Sequence, residues 1–296
     1  MDIRERIGRG SFGDVHRAYW RYTEVAVKKI FNPSDALLNE LYDEARLMIT
    51  LRHPNIVTFM ACTAAQPELC IVTEYVSRGS LYKILHNKNI IFEIDHIRHM
   101  ALGAAKGMAY LHGSHIIHRD LKSHNLLVDA HWNIKVGDFG LSRAVDQSGV
   151  NSTLTACGTP CWTAPEVLRS QRYSFMADVY SFGVCLWEMV TREDPYPGTP
   201  AYQVVISVAT KNLRPKMPKH INPLCSELIV ECWDESPEKR PAFGVLVDKL
   251  QSMSLPKSKS PPMVMEGDGS SQTLDSPKDP KGPNAKSAQL KNNMYI

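Results

Sequence analysis

His118-Arg119-Asp120-Leu121-Lys122-Ser123-His124-Asn125, followed after a short interval by Asp138-Phe139-Gly140, is the stretch on which the reading of this 296-residue chain turns. It offers a carboxylate, a lysine, an amide and a second carboxylate to one site. A carboxylate at Asp120 suits a group that orients and deprotonates a hydroxyl. Lys122 suits neutralisation of a transferring phosphoryl group, while Asn125 and Asp138 are hard oxygen donors for magnesium held against ATP phosphates. Leu127-Val128 reads as a short strand, and Asn133-Ile134-Lys135-Val136-Gly137 as its hairpin partner ending in Asp138. Such a hairpin brings the two metal-donor residues to neighbouring positions, which gives their spacing a physical reason.

Towards the N-terminus, Gly8-Arg9-Gly10-Ser11-Phe12-Gly13-Asp14-Val15 fits a flap over nucleotide phosphates, because glycine lets the backbone approach and adopt dihedrals other residues resist. A dinucleotide-binding fingerprint has the same glycine spacing but needs a helix directly after it. Asp14 to Tyr19 reads as the second strand of a hairpin instead, and no Gly-Lys-Ser/Thr ending makes a P-loop. Val15 and Ala26 are candidates for apolar contact with adenine. Lys28 follows on a third strand, Val25-Ala26-Val27-Lys28-Lys29-Ile30, where its ammonium would hold phosphates while a helix glutamate orients it. Leu37, Leu41, Glu44, Leu47 and Met48 recur at helical spacing, and periodicity leaves both Glu40 and Glu44 open as that glutamate.

The remaining pattern predicts an α+β chain with two lobes. Ile56–Phe59 and Leu69–Thr73 read as two more strands of a small sheet-rich lobe with one main helix, about residues 1–76. A linker near Glu74–Gly79 leads to a larger, mostly helical lobe, about residues 80–252. Its helices are expected at Ile94–His112, Phe175–Val190, Ala201–Ala209, Leu224–Cys232 and Phe243–Met253. Residues 253–296 are rich in Pro, Ser, Lys, Asp and Gly without a steady period, which predicts a disordered tail.

A net charge of +3 with no dense basic run argues against nucleic acid as a partner. No apolar run approaches the roughly 20 residues a membrane span needs, so no direct membrane insertion is expected. The N-terminal residues lack the apolar core of a signal peptide. Seven scattered cysteines fit a reducing compartment, so a cytoplasmic location with nuclear access is expected. Cys157 and Cys161 lack a second pair with metal-site spacing.

Together these motifs resemble a eukaryotic protein kinase catalytic domain over about residues 1–252. They are Gly8/Gly10/Gly13/Val15, Val25-Ala26-Val27-Lys28, the His118-to-Asn125 loop, Asp138-Phe139-Gly140 and Ala164-Pro165-Glu166. Within that family the chain is most similar to the tyrosine-kinase-like group of serine/threonine kinases, the Raf and mixed-lineage type, on Lys122, Ser123 and Gly158-Thr159-Pro160. The resemblance implies a bilobal kinase fold that transfers phosphate from ATP, with Mg2+ (or Mn2+ as a substitute), to serine or threonine hydroxyls of protein substrates in signal transduction. Tyrosine or dual specificity and a catalytically weak scaffold are the alternatives. It selects Glu44 as the partner of Lys28 and adds both to Asp120 and Lys122 as catalytic residues. It implies nucleotide binding by Ile7, Gly8, Gly10, Ser11, Phe12, Gly13, Val15, Ala26, Lys28, Thr73, Glu74, Val76 and Leu127. Asp178 is implied to anchor the catalytic loop, Glu166 to pair with Arg240, and Met48, Phe59, His118 and Phe139 to stack. Activation by an upstream kinase or by self-phosphorylation is expected at Thr153 or Thr155, then Ser152, with Arg119, Lys135 and Arg143 as phosphate partners. The tail is expected to serve regulation or a bound partner.

Overall fold

The computed structural model describes residues 1–10, 13–30, 45–63, 69–138, 143–144, 159–172, 174–258 and 261–264. Five strands, β1 (Asp2–Gly10), β2 (Gly13–Trp20), β3 (Thr23–Ile30), β4 (Phe59–Thr63) and β5 (Leu69–Glu74), form one sheet in the order β1-β2-β3-β5-β4. All neighbours are antiparallel. The β2–β3 turn puts Arg21 and Tyr22 at positive φ, 50° and 64°, the backbone of a two-residue hairpin turn that matches strand twist. Alternation along β3 sends Val25 and Val27 into a buried cluster with Ala18, Ala61 and Val72. Lys28 takes the opposite face. Of the expected helix after β3, residues 45–50 (α1) are described and helical.

Past Gly79 the chain turns mostly helical: α2 (Leu81–His86), α3 (Ile94–Gly113), α4 (Pro165–Leu168), α5 (Met176–Thr191), α6 (Ala201–Lys211), α7 (Pro223–Cys232) and α8 (Phe243–Ser252). Helix α5 is buried on nearly every side, as an apolar helix at the centre of a lobe should be. After β6 (Ile90–Ile91) and β7 (Ile116–Ile117), strands β8 (Leu126–Val128) and β9 (Ile134–Val136) form the expected hairpin, and β10 (Arg143–Ala144) pairs with β7. The bilobal α+β class read from the sequence is the one observed. Arg78 N donates to Val128 O at 3.0 Å and Val128 N to Gly79 O at 2.8 Å, which pins the linker between the lobes onto β8.

Three local expectations change. The strand expected at Ile56–Phe59 starts only at Phe59. Val136 N donates to Asn55 O at 2.8 Å and Val57 N to Val136 O at 2.9 Å, so this segment pairs with β9 rather than with the main sheet. Helix α2, not anticipated, starts at Ser80, whose hydroxyl accepts from Lys83 N. After α8, in the stretch expected to be structureless, residues 253–258 and 261–264 are described and make specific contacts. β11 (Met263–Val264) pairs with β6 (Ile90–Ile91), Pro262 is buried, and Ser258 N donates to the Asp95 carboxylate at 3.1 Å. Composition argues against a core, but it cannot register a strap that borrows a partner strand. Truncation after Met253 should lower the melting midpoint by about 2–4 °C, the effect of losing roughly 1 kcal/mol. Truncation after Val264 should leave it unchanged, and equal midpoints would show that the strap contributes nothing.

Candidate active site

The face of the sheet towards the helical lobe follows from register. Lys28 lies opposite Val15 on β2 and Ile71 on β5, and Ala26 lies opposite Thr73. Directly paired residues share a face, so Val15, Ala26, Lys28 and Thr73 line one surface. Gly8 pairs with Val15 and Gly10 with Gly13, so the glycines close a hairpin, as expected. A Cβ on Gly13 would meet Lys29 O at 1.8 Å, which excludes any other residue without moving β3. At the linker, Glu74 N donates to Thr58 O and Gly79 N to Val76 O. These bonds use the Glu74 amide and the Val76 carbonyl within the protein. Ile7 sits on β1 with its carbonyl accepting from Lys83 Nζ at 3.4 Å, and Leu127 bridges to Ser80.

The catalytic loop is held from below by one buried carboxylate. Asp178 accepts from His118 N and Arg119 N at 2.9 Å each and contacts His112 Nε2 at 2.9 Å. Burial alone would raise the Asp178 pKa, but His112 and these backbone donors hold it below the usual carboxylate range. The clamp also holds Arg119 at φ 70°, a left-handed conformation that costs energy and persists only where surroundings enforce it. His118 is buried, and its Nε2 meets Gly137 O at 3.1 Å.

Above the clamp, Asp120 is the centre of a compact polar group. Its Oδ2 accepts from Lys122 Nζ at 2.6 Å, and its Oδ1 from Thr159 N and Oγ1 at 3.2 Å each. Lys122 Nζ also donates to Thr159 Oγ1 at 2.8 Å. Asn125 Nδ2 donates to Asp120 O at 2.8 Å and Oδ2 at 3.2 Å, which leaves Asn125 Oδ1 as its donor atom for a cation. Gly137 N donates to Asn125 O at 2.9 Å, so a backbone bond ties Asn125 directly to the neighbour of Asp138. Asp138 has φ 59° and accepts from Lys28 Nζ at 3.4 Å. Burial pushes its carboxyl up, but Lys28, His118 and Lys122 hold it lower, so it is ionised at neutral pH.

This donor set fits magnesium. Among the described residues no group of three His, Cys, Asp or Glu side chains forms a cage. One amide and one carboxylate suit an ion that takes its other ligands from phosphates and water.

Several sequence expectations fall elsewhere. Glu44, Ser11, Phe12, Phe139, Gly140, Ser152, Thr153 and Thr155 lie outside the described residues. Met48 and Phe59 share the main buried cluster. Lys135, expected to contribute positive charge towards an incoming phosphate, is bound to Glu74 at 2.9 Å. The Arg143 backbone pairs with Ile117. Glu166 and Arg240 form the expected pair, at 2.7 and 2.9 Å. Glu188, which sequence reading passed over, is wholly buried and bonded to both Ser123 and Trp162. A lone carboxylate in the apolar run Phe182–Val190 was the available signal.

A family model described as "Protein tyrosine and serine/threonine kinase" matches residues 1–250. The chain belongs to this protein kinase family. It is 50% identical over 257 residues to "Probable serine/threonine-protein kinase drkB" of Dictyostelium discoideum, covering 86% of this chain and 37% of that protein. It is 48% identical over 257 residues to drkA of the same organism, covering 86% and 40%. To the serine/threonine-protein kinase CTR1 of Arabidopsis thaliana it is 47% identical over 268 residues, covering 88% and 32%. The chain thus spans a third to two fifths of the length of these relatives. Among the described residues no helix is long and apolar enough to cross a membrane.

Proposed function

We propose that this chain transfers the γ-phosphoryl group of ATP to serine or threonine hydroxyls of protein substrates. The observation that carries the reading is the bridge from Lys122 Nζ to Asp120 Oδ2 and Thr159 Oγ1, at 2.6 and 2.8 Å. It puts a proton acceptor and a cation beside the segment that would receive a peptide. In the proposed reaction a substrate hydroxyl oxygen bonds to the γ-phosphorus as the bond to ADP breaks. The hydroxyl proton passes to Asp120, and Lys122 offsets charge on the transferring group. Lys28 orients the phosphates, with Glu44 as its proposed partner. Magnesium, with manganese as a substitute, would be held by Asn125 and Asp138 and would offset phosphate charge. Val15, Ala26, Thr73, Val76 and Leu127 would enclose adenine. The relatives' names support serine/threonine over tyrosine acceptors.

Phosphorylation of Thr153, Thr155 or Ser152 by an upstream kinase or by the chain itself, with Arg119 as phosphate partner, belongs to the same proposal. So do a partner for the tail and a cytoplasmic location. The test is labelled phosphate transfer from Mg-ATP to a panel of serine, threonine and tyrosine peptides, with a Lys28→Met control. Incorporation into serine and threonine that vanishes in the control is expected. Incorporation into tyrosine alone, or none by the unaltered chain, would overturn the reading.

A further inference from the structure

We propose that Glu188 is a positioning residue that fixes the catalytic loop against the acceptor platform for the phosphotransfer proposed above, a reading on which this inference rests. Glu188 lies on α5. Its Oε1 accepts from Ser123 Oγ at 2.7 Å and its Oε2 from Trp162 Nε1 at 2.7 Å. Ser123, Trp162 and Glu188 are all buried. Ser123 is the immediate neighbour of Lys122. Trp162 stands in the 3-10 turn Pro160–Trp162, and its amide donates to Thr159 O at 3.0 Å. One carboxyl group therefore ties together the two short segments that supply Lys122 and Thr159, the two ends of the bridge beside Asp120.

The surroundings make this tie stiff. Ser181, also on α5, donates to Trp162 O at 2.7 Å, so the platform is bonded to the same helix twice. His124, following Ser123, stacks on Tyr82 at 3.8 Å and meets Trp162 edge-on at 5.9 Å. The indole can only donate, whereas the serine hydroxyl can donate or accept. A neutral acid or an amide at position 188 can therefore keep both bonds, accepting from Trp162 and donating to Ser123. A leucine would leave two buried donors orphaned.

Burial pushes the Glu188 carboxyl up to about 8, with Ser123 and Trp162 opposing that rise and Asp194 adding to it. The titratable groups facing it are Tyr82 from α2, Cys161 from the 3-10 turn, Cys185 on its own helix and Asp194 beyond it. A raised acid pKa means the fold holds a proton that the unfolded chain has released. Stability from this group therefore falls as pH rises from the ordinary carboxyl range through about 8.

The test measures kcat and KM for peptide and for Mg-ATP in the unaltered chain, Glu188→Gln and Glu188→Leu, with melting curves at pH 6 and pH 9. Glu188→Leu should lower peptide kcat/KM by about 10²-fold, the effect of a misplacement near 1 Å, while KM for Mg-ATP stays unchanged. Glu188→Gln should restore most of that loss and should melt later than the unaltered chain at pH 9. A folded Glu188→Leu protein with normal peptide kcat/KM, or a Gln variant as poor as Leu, overturns the proposal. Should Glu188→Leu not fold, Ser123→Ala and Trp162→Phe each remove one arm, and their effects on kcat/KM should couple through the shared carboxyl. Strictly additive effects would overturn it. An unaltered chain that binds Mg-ATP but phosphorylates nothing removes the phosphotransfer reading first, and this inference with it.

Discussion

Asp120→Asn is expected to lower phosphate transfer to peptide by about 10²–10⁴-fold, the usual contribution of a positioned general base. Two effects add. The amide cannot take up the proton of the substrate hydroxyl. It also has one acceptor oxygen where the carboxylate uses two, Oδ2 for Lys122 and Asn125 and Oδ1 for Thr159. Whichever way the amide turns, its NH2 faces donors on one side, so either the Lys122 contact or the Thr159 contact is lost. Nucleotide binding should survive, since Lys28 and Asp138, the proposed phosphate and metal contacts, bond to each other and not to Asp120. Single-turnover transfer, paired with the melting shift induced by Mg-ATP, checks both halves. A variant that transfers at near-normal rate would remove Asp120 from its proposed role. One that no longer responds to Mg-ATP would place it with the nucleotide instead.

The reason Asp120 was legible in the sequence while Glu188 was not lies in what each depends on. Asp120, Lys122 and Asn125 sit in one short loop, and the β8–β9 hairpin that carries Asp138 beside them is a local element with alternating apolar residues. Local pattern suffices for both. The glycine hairpin was readable for the same reason, since Asp14–Tyr19 alternates as a strand and has no helical period. Glu188 touches residues that lie 65 and 26 positions away in the chain, and no period in α5 points to them. The partner of Lys135 was hidden in a similar way. The lysine's charge is plain in sequence, but its partner Glu74 is 61 positions away. The strap to Val264 was hidden because its partner is a two-residue strand at Ile90–Ile91, far too short to stand out. Ile56 was placed in the wrong sheet because a β-branched residue suits either partner, and only the bonds to Val136 decide.

Arg240→Met should destabilise the fold by about 3–5 kcal/mol, the cost of leaving one partner of a buried ion pair without the other. The guanidinium is fully enclosed and meets Glu166 through two parallel bonds, with further donations to Met176 O at 2.9 Å and Asp234 O at 2.8 Å. Its face lies over Tyr180 at 5.3 Å. One side chain thus joins α4, the start of α5 and the loop before α8. Methionine matches the length of the stem but satisfies none of these acceptors. Arg240→Lys should recover only part of the loss, because an ammonium is a point charge and cannot reproduce the planar fork. A double replacement, Glu166→Leu with Arg240→Met, should be more stable than Arg240→Met alone, since it removes the unpaired carboxylate as well as its partner. Urea unfolding midpoints of the three variants test this ordering. If Arg240→Met unfolded within about 1 kcal/mol of the unaltered chain, the buried pair would contribute no more than an exposed one does, and the anchor of the platform would have to be sought in the Ser181 and Glu188 bonds to Trp162 instead.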